Sequence, residues 1–172
     1  QVQTMSDETT TICYDNSLPE VPRILALKGA DVLLMPHAAR LKMWTDDPES
    51  EKEAAALSGR HFQMIASARS YENSCYSVLC NQAGRAGIVD TYPKDSPNQP
   101  HHAGGCLVVD PLGQVTAQTS FEKIEEEMVV ANLLPEKLWE ARSQPNYTLR
   151  QRRPELFGDL TKSRSVVSCE IS

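Results

Sequence analysis

Two short apolar runs bounded by breaking residues limit the fold of this chain more than any other feature. Residues 31–35 end against Pro36, and residues 76–80 end against Asn81. Each run is too short for a typical helix and rich enough in aliphatic and aromatic residues to read as a buried strand. Between them residues 46–73 carry a long helical region. Its best helix formers lie at 49–57, and Gly59 is its one expected point of interruption. Upstream, residues 9–13 suit a short strand and residues 19–28 a helix, with Gly29 placed to cap its C-terminus. Downstream, residues 84–104 form a loop rich in Gly, Pro, Asn and Asp, long enough to suggest a functional role. Residues 107–109 and 114–118 form a hairpin through Asp110-Pro111-Leu112-Gly113, which has Asp, Pro and Gly where a type I turn favours them. Residues 128–133 read as a further strand and 135–142 as a helix with Pro135 in its first turn. Strands alternating with helices specify an α/β, or layered α+β, domain. Residues 1–134 form its main body, 135–160 a helix and extension of the same domain, and 161–172 a patternless tail that is disordered or an interface arm.

Composition narrows the function classes. The formal charge is −6 over 172 residues, which disfavours non-specific nucleic-acid binding. The densest basic cluster, Arg150, Arg152 and Arg153, sits beside Pro154 and Glu155 and reads as a solvated turn or an interface. No apolar run reaches membrane-spanning length, so no membrane partner is expected. The five cysteines are irregularly spaced and include no Cys-x-x-Cys, which points away from a disulfide framework and toward a reduced, cytoplasmic compartment. His101, His102 and Cys106 resemble half of a metal site, but the second ligand pair is missing, so no metal is expected. Trp44, Tyr71, Tyr76 and Trp139 are too dispersed to form a cofactor box, and no organic cofactor is expected. Cys75 and Cys80 read as core residues, and Glu125-Glu126-Glu127 as a solvated edge.

The segment Ile12-Cys13-Tyr14-Asp15-Asn16-Ser17-Leu18-Pro19-Glu20 is the most informative. It places a cysteine where a strand ends and a helix is about to begin. Helix N-termini lower thiol pKa values, and the thiolate is the nucleophile. Backbone N–H groups beside it can hold a developing oxyanion. Position alone leaves two readings open, a nucleophile and a small buried hydrophobe. Glu20 and Arg23 fall three apart on the helix that follows, where they can pair as structural support. His37, at the end of the neighbouring strand, is a candidate pocket residue or a satisfied loop histidine. Asn81 and His102 are further candidates for the pocket.

These residues resemble the nitrilase superfamily of carbon–nitrogen hydrolases. Cys13-Tyr14-Asp15 followed by Pro19-Glu20 is similar to its nucleophile motif. Arg23, Leu25-Ala26-Leu27 and Gly29-Ala30-Asp31 are similar to the helix and strand entry behind it. Arg69, Glu72-Asn73, Tyr76 and Asn81-x-x-Gly84 resemble a second block. His102-x-Gly104-Gly105 with Val108-x-Asp110-Pro111-x-Gly113 resembles a third, and Arg153-Pro154-Glu155-Leu156-Phe157 the family's ending. Several spaced blocks in order, over residues 12–160, are more specific than one motif.

The resemblance implies a four-layer α-β-β-α sandwich of which this chain supplies the C-terminal part. It also implies homo-oligomers and hydrolysis of small-molecule amide, ureido or nitrile substrates through a cysteine thioester. Cys13 takes the place of the nucleophile and the backbone N–H of Tyr14 that of an oxyanion donor. Cys13-Tyr14-Asp15 looks more like the amidase and N-carbamoyl amidohydrolase branches than like nitrilases. The family's Cys-Glu-Lys triad has its Glu and Lys upstream of the cysteine by more than the residues that precede Cys13. The chain as given therefore reads as a fragment, truncated gene or half-domain, inactive alone. The alternative is a non-catalytic binding or assembly subunit.

Overall fold

The computed structural model describes residues 10–40, 48–96, 98–121 and 124–162. Its main sheet has four strands in the order β1-β2-β5-β6. These are β1 (Val32–His37), β2 (Tyr76–Asn81), β5 (Cys106–Val109) and β6 (Val115–Gln118). A separate two-stranded ribbon pairs β3 (Ala83–Arg85) with β4 (His101–Ala103). β1 and β2 run parallel, and the helix α2 (Pro48–Asn73) forms the body of the connection that parallel strands require. β2, β5 and β6 are antiparallel neighbours.

Alternation along the strands decides which face is covered. Leu33, Met35, Leu79, Leu107 and Val109 are fully buried. They share one cluster with Leu25 and Ala26 of α1 (Glu20–Leu27) and with Phe62 and Ala66 of α2. On the opposite face Leu34 and Val78 are half-buried, and Pro36 and Cys80 are exposed. Cys75 is a core residue as expected. Cys80 is not, because strand alternation turns it to the open face.

Several local expectations hold. α1 begins at Glu20, and Pro22 falls in its first turn, where helical N–H groups have no internal partner. Gly29 follows with φ +100°, a left-handed cap. In the β5–β6 turn the buried Asp110 carboxylate accepts from the N–H groups of Leu112 and Gln114, both at 2.9 Å. The helix α3 (Pro135–Ser143) docks through Arg142, which reaches Asp31 at 2.7 Å and the carbonyls of Ser74 and Ala30.

Other expectations are corrected. Pro36 does not stop β1, which runs on to His37. The carbonyls of Asp31 and His37 accept from the N–H groups of Tyr76 and of Gln82 just past β2, whereas that of Leu34 accepts from Thr11 on the outer side. Pro36 shares the outward phase of Leu34, so its missing donor costs the β1–β2 ladder nothing. Residues 9–13 give a single bridge, Thr10 to Leu34, and Cys13 already belongs to a 3-10 segment, Cys13–Ser17. Residues 128–133 form no strand, since none of the described residues pairs with them, and Met128 is 86% exposed. The loop after β2 contains β3 and β4 and is organised by the buried Gln99. Its amide donates to the carbonyls of Val89, Tyr92 and Pro93 and accepts from the Val89 N–H. Thr9, Trp44, the expected helix start at Asp46 and the tail 163–172 lie outside the described residues.

Gly59 does not interrupt α2. It is the place where Phe121 packs: a Cβ there would lie 2.5 Å from the ring, and one on Gly105 would lie 2.3 Å from it. Helix propensity alone would make Gly59→Ala stabilising by about 1 kcal/mol. The clash reaches the Phe121 Cβ and Cγ, which cannot swing away, so a net loss of about 1–3 kcal/mol is expected. Urea unfolding measures it, and in a Phe121→Gly background, which lacks both atoms, the cost of Gly59→Ala should shrink.

Candidate active site

Cys13 opens the 3-10 segment with φ +51°, a left-handed conformation that is strained for a residue with a side chain. Such strain persists only where surrounding contacts over-determine it, and three groups do so here. The carboxylate of Asp15 accepts from the Ile12 N–H at 3.4 Å. The buried Asn16 amide donates to the Cys13 carbonyl at 3.0 Å and the Thr11 carbonyl at 3.3 Å, while its oxygen accepts from the Thr11 hydroxyl. From α2, Arg69 donates to the carbonyls of Asn16 at 3.0 Å and Ser17 at 3.2 Å. Glu72 holds the guanidinium at 2.8 Å. The block Arg69–Glu72, which sequence reading could match but not explain, is a clamp on the turn that carries the cysteine.

Cys13 is half-buried on the wall of a cavity of about 530 Å³. Tyr14, Ser17, His37, Arg40, Ser58 and His61 also line it, and Ala54, Leu57, Phe62 and Ile65 form its apolar side. Tyr14 is 72% exposed, while its N–H lies in the first turn, where helical geometry provides no acceptor. His37 is buried in the cavity wall, in contact with the Asn16 amide at 3.0 Å and edge-on to Phe62 at 5.0 Å. Burial, then the neighbouring His61, lowers its pKa from the ordinary 6.5.

Asn81 and His102 stand behind the cavity wall. Asn81 accepts from the Ala39 N–H at 2.8 Å and donates to the carbonyls of Ala39 and Gly104. His102 Nδ1 lies 3.3 Å from the Ala39 carbonyl. Both side chains thus latch the segment after β1 to the end of β2 and to β4. The expected Glu20–Arg23 pair does not form: Glu20 is exposed, and the carboxylate acting on Arg23 is that of Glu72. Burial is the larger influence and lowers the Arg23 pKa. The helical register turns Arg23 toward α2 and leaves Glu20 at the solvent end. Ser58 and His61 were missed in sequence, because α2 spacing alone does not say which face meets the cysteine.

A family model for carbon–nitrogen hydrolases matches residues 9–142. The chain belongs to the carbon–nitrogen hydrolase family, within the nitrilase superfamily. It is 30% identical over 135 residues to a deaminated glutathione amidase of Synechocystis sp., covering 78% of this chain and 39% of that protein. It is also 30% identical over 153 residues to an (R)-stereoselective amidase of Pseudomonas sp., covering 88% and 44%. Among solved structures, a carbon–nitrogen hydrolase from Helicobacter pylori G27 superposes with a TM-score of 0.71 at 27% identity, covering 89% of this chain and 48% of that one. The chain therefore spans less than half the length of each of these three proteins.

Two outcomes follow from the site. Arg69→Ala removes both carbonyl contacts and leaves Glu72 half-buried without its partner; a loss of about 2–3 kcal/mol is expected by chemical denaturation. His37, with a depressed folded pKa, favours its neutral form in the native state. Its contribution to stability is present above the unfolded value of about 6.5 and is lost as pH falls through the folded pKa. Thermal midpoints of the chain and of His37→Gln, taken from pH 8 down to about 5, should show a smaller drop in the variant.

Proposed function

We propose that this chain carries the nucleophile-bearing part of a hydrolase acting on a non-peptide C–N bond, an amide or N-carbamoyl group of a small molecule, through a cysteine thioester. The observation that carries the reading is Cys13: a cysteine at positive φ, in the first turn of a 3-10 segment, on the wall of a cavity of about 530 Å³. The family membership and the amidase relatives support it.

In this reading the Cys13 sulfur bonds to the carbonyl carbon while the oxygen gains negative charge toward the Tyr14 N–H. The C–N bond then breaks, and the nitrogen leaves with a proton. Water attacks the thioester, releasing the acid and restoring the thiol. Of the described residues lining the cavity, none is a carboxylate or a lysine. The base and the ammonium of the family's triad must come from elsewhere, and the 172-residue chain by itself is expected not to turn over amides. The same observation favours the second reading, a non-catalytic assembly subunit.

Homo-oligomers and a reduced, cytoplasmic setting belong to the proposal. The thiols of Cys13, Cys75, Cys80 and Cys106 are all free, and no helix among the described residues is long and apolar enough to cross a membrane.

The test is hydrolysis of a panel of small amides, ureido acids and nitriles, by the chain alone and after adding an N-terminal half from a related enzyme. Complementation should produce activity that Cys13→Ala abolishes without changing the melting temperature, because triad members act as a unit. Because loss of the nucleophile of a triad costs orders of magnitude, residual turnover of more than roughly a few per cent in the variant would remove Cys13 from the nucleophile's role. A complemented protein that stays silent on every substrate would favour the assembly reading.

A further inference from the structure

Cys13 and His37 share one cavity, which invites the reading of a cysteine–histidine pair. The hydrogen bonds around Asn16 point elsewhere. We propose that Asn16 holds His37 as the neutral tautomer protonated on Nδ1, making it an uncharged member of the cavity wall and not the base for the Cys13 thiol.

The argument starts from the orientation of one amide. Asn16 is fully buried, and its Nδ2 lies 3.0 Å from the Cys13 carbonyl and 3.3 Å from the Thr11 carbonyl. A backbone carbonyl can only accept, so the NH2 group must be on this side, and the Thr11 hydroxyl donates to the amide oxygen on the other. The orientation is therefore set by partners of fixed polarity, which is what assigning an Asn amide requires. The same Nδ2 lies 3.0 Å from His37 Nε2. The NH2 group has two hydrogens, and its two shortest contacts, both at 3.0 Å, are the Cys13 carbonyl and Nε2; a proton on Nε2 would oppose donor to donor, so Nε2 accepts, and a neutral imidazole in that state carries its proton on Nδ1.

The consequence is chemical. The single lone pair that a neutral imidazole offers sits on Nε2 and is engaged by Asn16. The other nitrogen bears hydrogen, so neither can take the proton of the Cys13 thiol without breaking the Asn16 contact. The titratable and charged groups facing the same cavity are Cys13 and Tyr14 from the 3-10 segment, His61 from α2 and Arg40 beyond the end of β1. None of these is a carboxylate, and the one anion that could hold an imidazolium there is a Cys13 thiolate, which the alkylation profile below tests. Burial and His61 act in the same direction by lowering the pKa of His37, and the edge-on Phe62 ring fixes its plane. The inference goes beyond the hydrolase reading and does not depend on it, since a tautomer is measured without turnover.

The test is long-range ¹H–¹⁵N NMR of the imidazoles in the ¹⁵N-labelled chain, with His37 assigned by the signals lost in His37→Gln. The expected result is a protonated Nδ1 and an unprotonated Nε2 in the neutral plateau. Asn16→Asp replaces the donor with an acceptor. It should move the proton to Nε2 and raise the His37 titration midpoint by about one to three pH units. Peptide-mapped alkylation of Cys13 by iodoacetamide should follow one ionisation and show no acid shoulder between about pH 5 and 8. A wild-type His37 protonated on Nε2, an even mixture of tautomers, or an alkylation shoulder that vanishes in His37→Gln would overturn the proposal. If Asn16→Asp does not fold, the wild-type spectrum and the alkylation profile decide it alone.

Discussion

The guanidinium of Arg69 is the contact on which the site depends. The 3-10 segment Cys13–Ser17 begins in a left-handed conformation and is too short to hold itself. Carbonyls at its end would face solvent without external donors. Arg69 supplies two of them, and Glu72 on the same helix face fixes the fork. A planar fork with several donors suits this task in a way a lysine's point charge would not. Strain at Cys13 is thus maintained by contacts with a helix more than fifty residues further along the chain, which is how local strain survives in folded proteins.

The parallel pairing of β1 and β2 sets the second boundary of the site. Its register puts His37 opposite Asn81, so both strands end at the same level. From there Asn81 and His102 converge on the backbone of Ala39, and His37 is left to meet Asn16 from the other side. The cavity is the space between this strand end, the cysteine turn and the middle of α2. Its wall is mostly apolar, with His37, His61 and Arg40 as the nitrogen-bearing groups. Such a wall offers a small molecule mostly apolar contacts and, among the described residues, no carboxylate or lysine.

Two of the cysteines outside the site, Cys75 and Cys106, show how position governs thiol chemistry. Cys75 is fully buried, donates to the Ala30 carbonyl at 3.0 Å and has its pKa pushed up to about 11 by burial, despite the nearby Arg142. Cys106, half-buried opposite Cys80, is also raised to about 11, by burial and then by that thiol. Thiols held in this way are poor nucleophiles at neutral pH. Cys13 differs in its backbone geometry and in facing an open cavity.

The sequence by itself determined the elements that rest on local rules. Apolar runs marked β1 and β2, Gly29 and Asp110-Pro111-Leu112-Gly113 marked a cap and a turn, and Cys13 stood out because its spacing from Pro19 and Glu20 matched a known motif. These signals are legible because each depends on a few consecutive residues. Tertiary structure decided the rest. It let Pro36 continue a strand, since its missing donor faces the outer side, and it denied residues 128–133 a strand, since pairing needs a neighbour. It made Gly59 a seat for Phe121 instead of a break, turned Arg23 from Glu20 toward Glu72, and gave Arg69 and Asn16 their work on the cysteine turn. Those contacts join residues far apart in the chain, and no periodicity or spacing encodes which distant groups will meet.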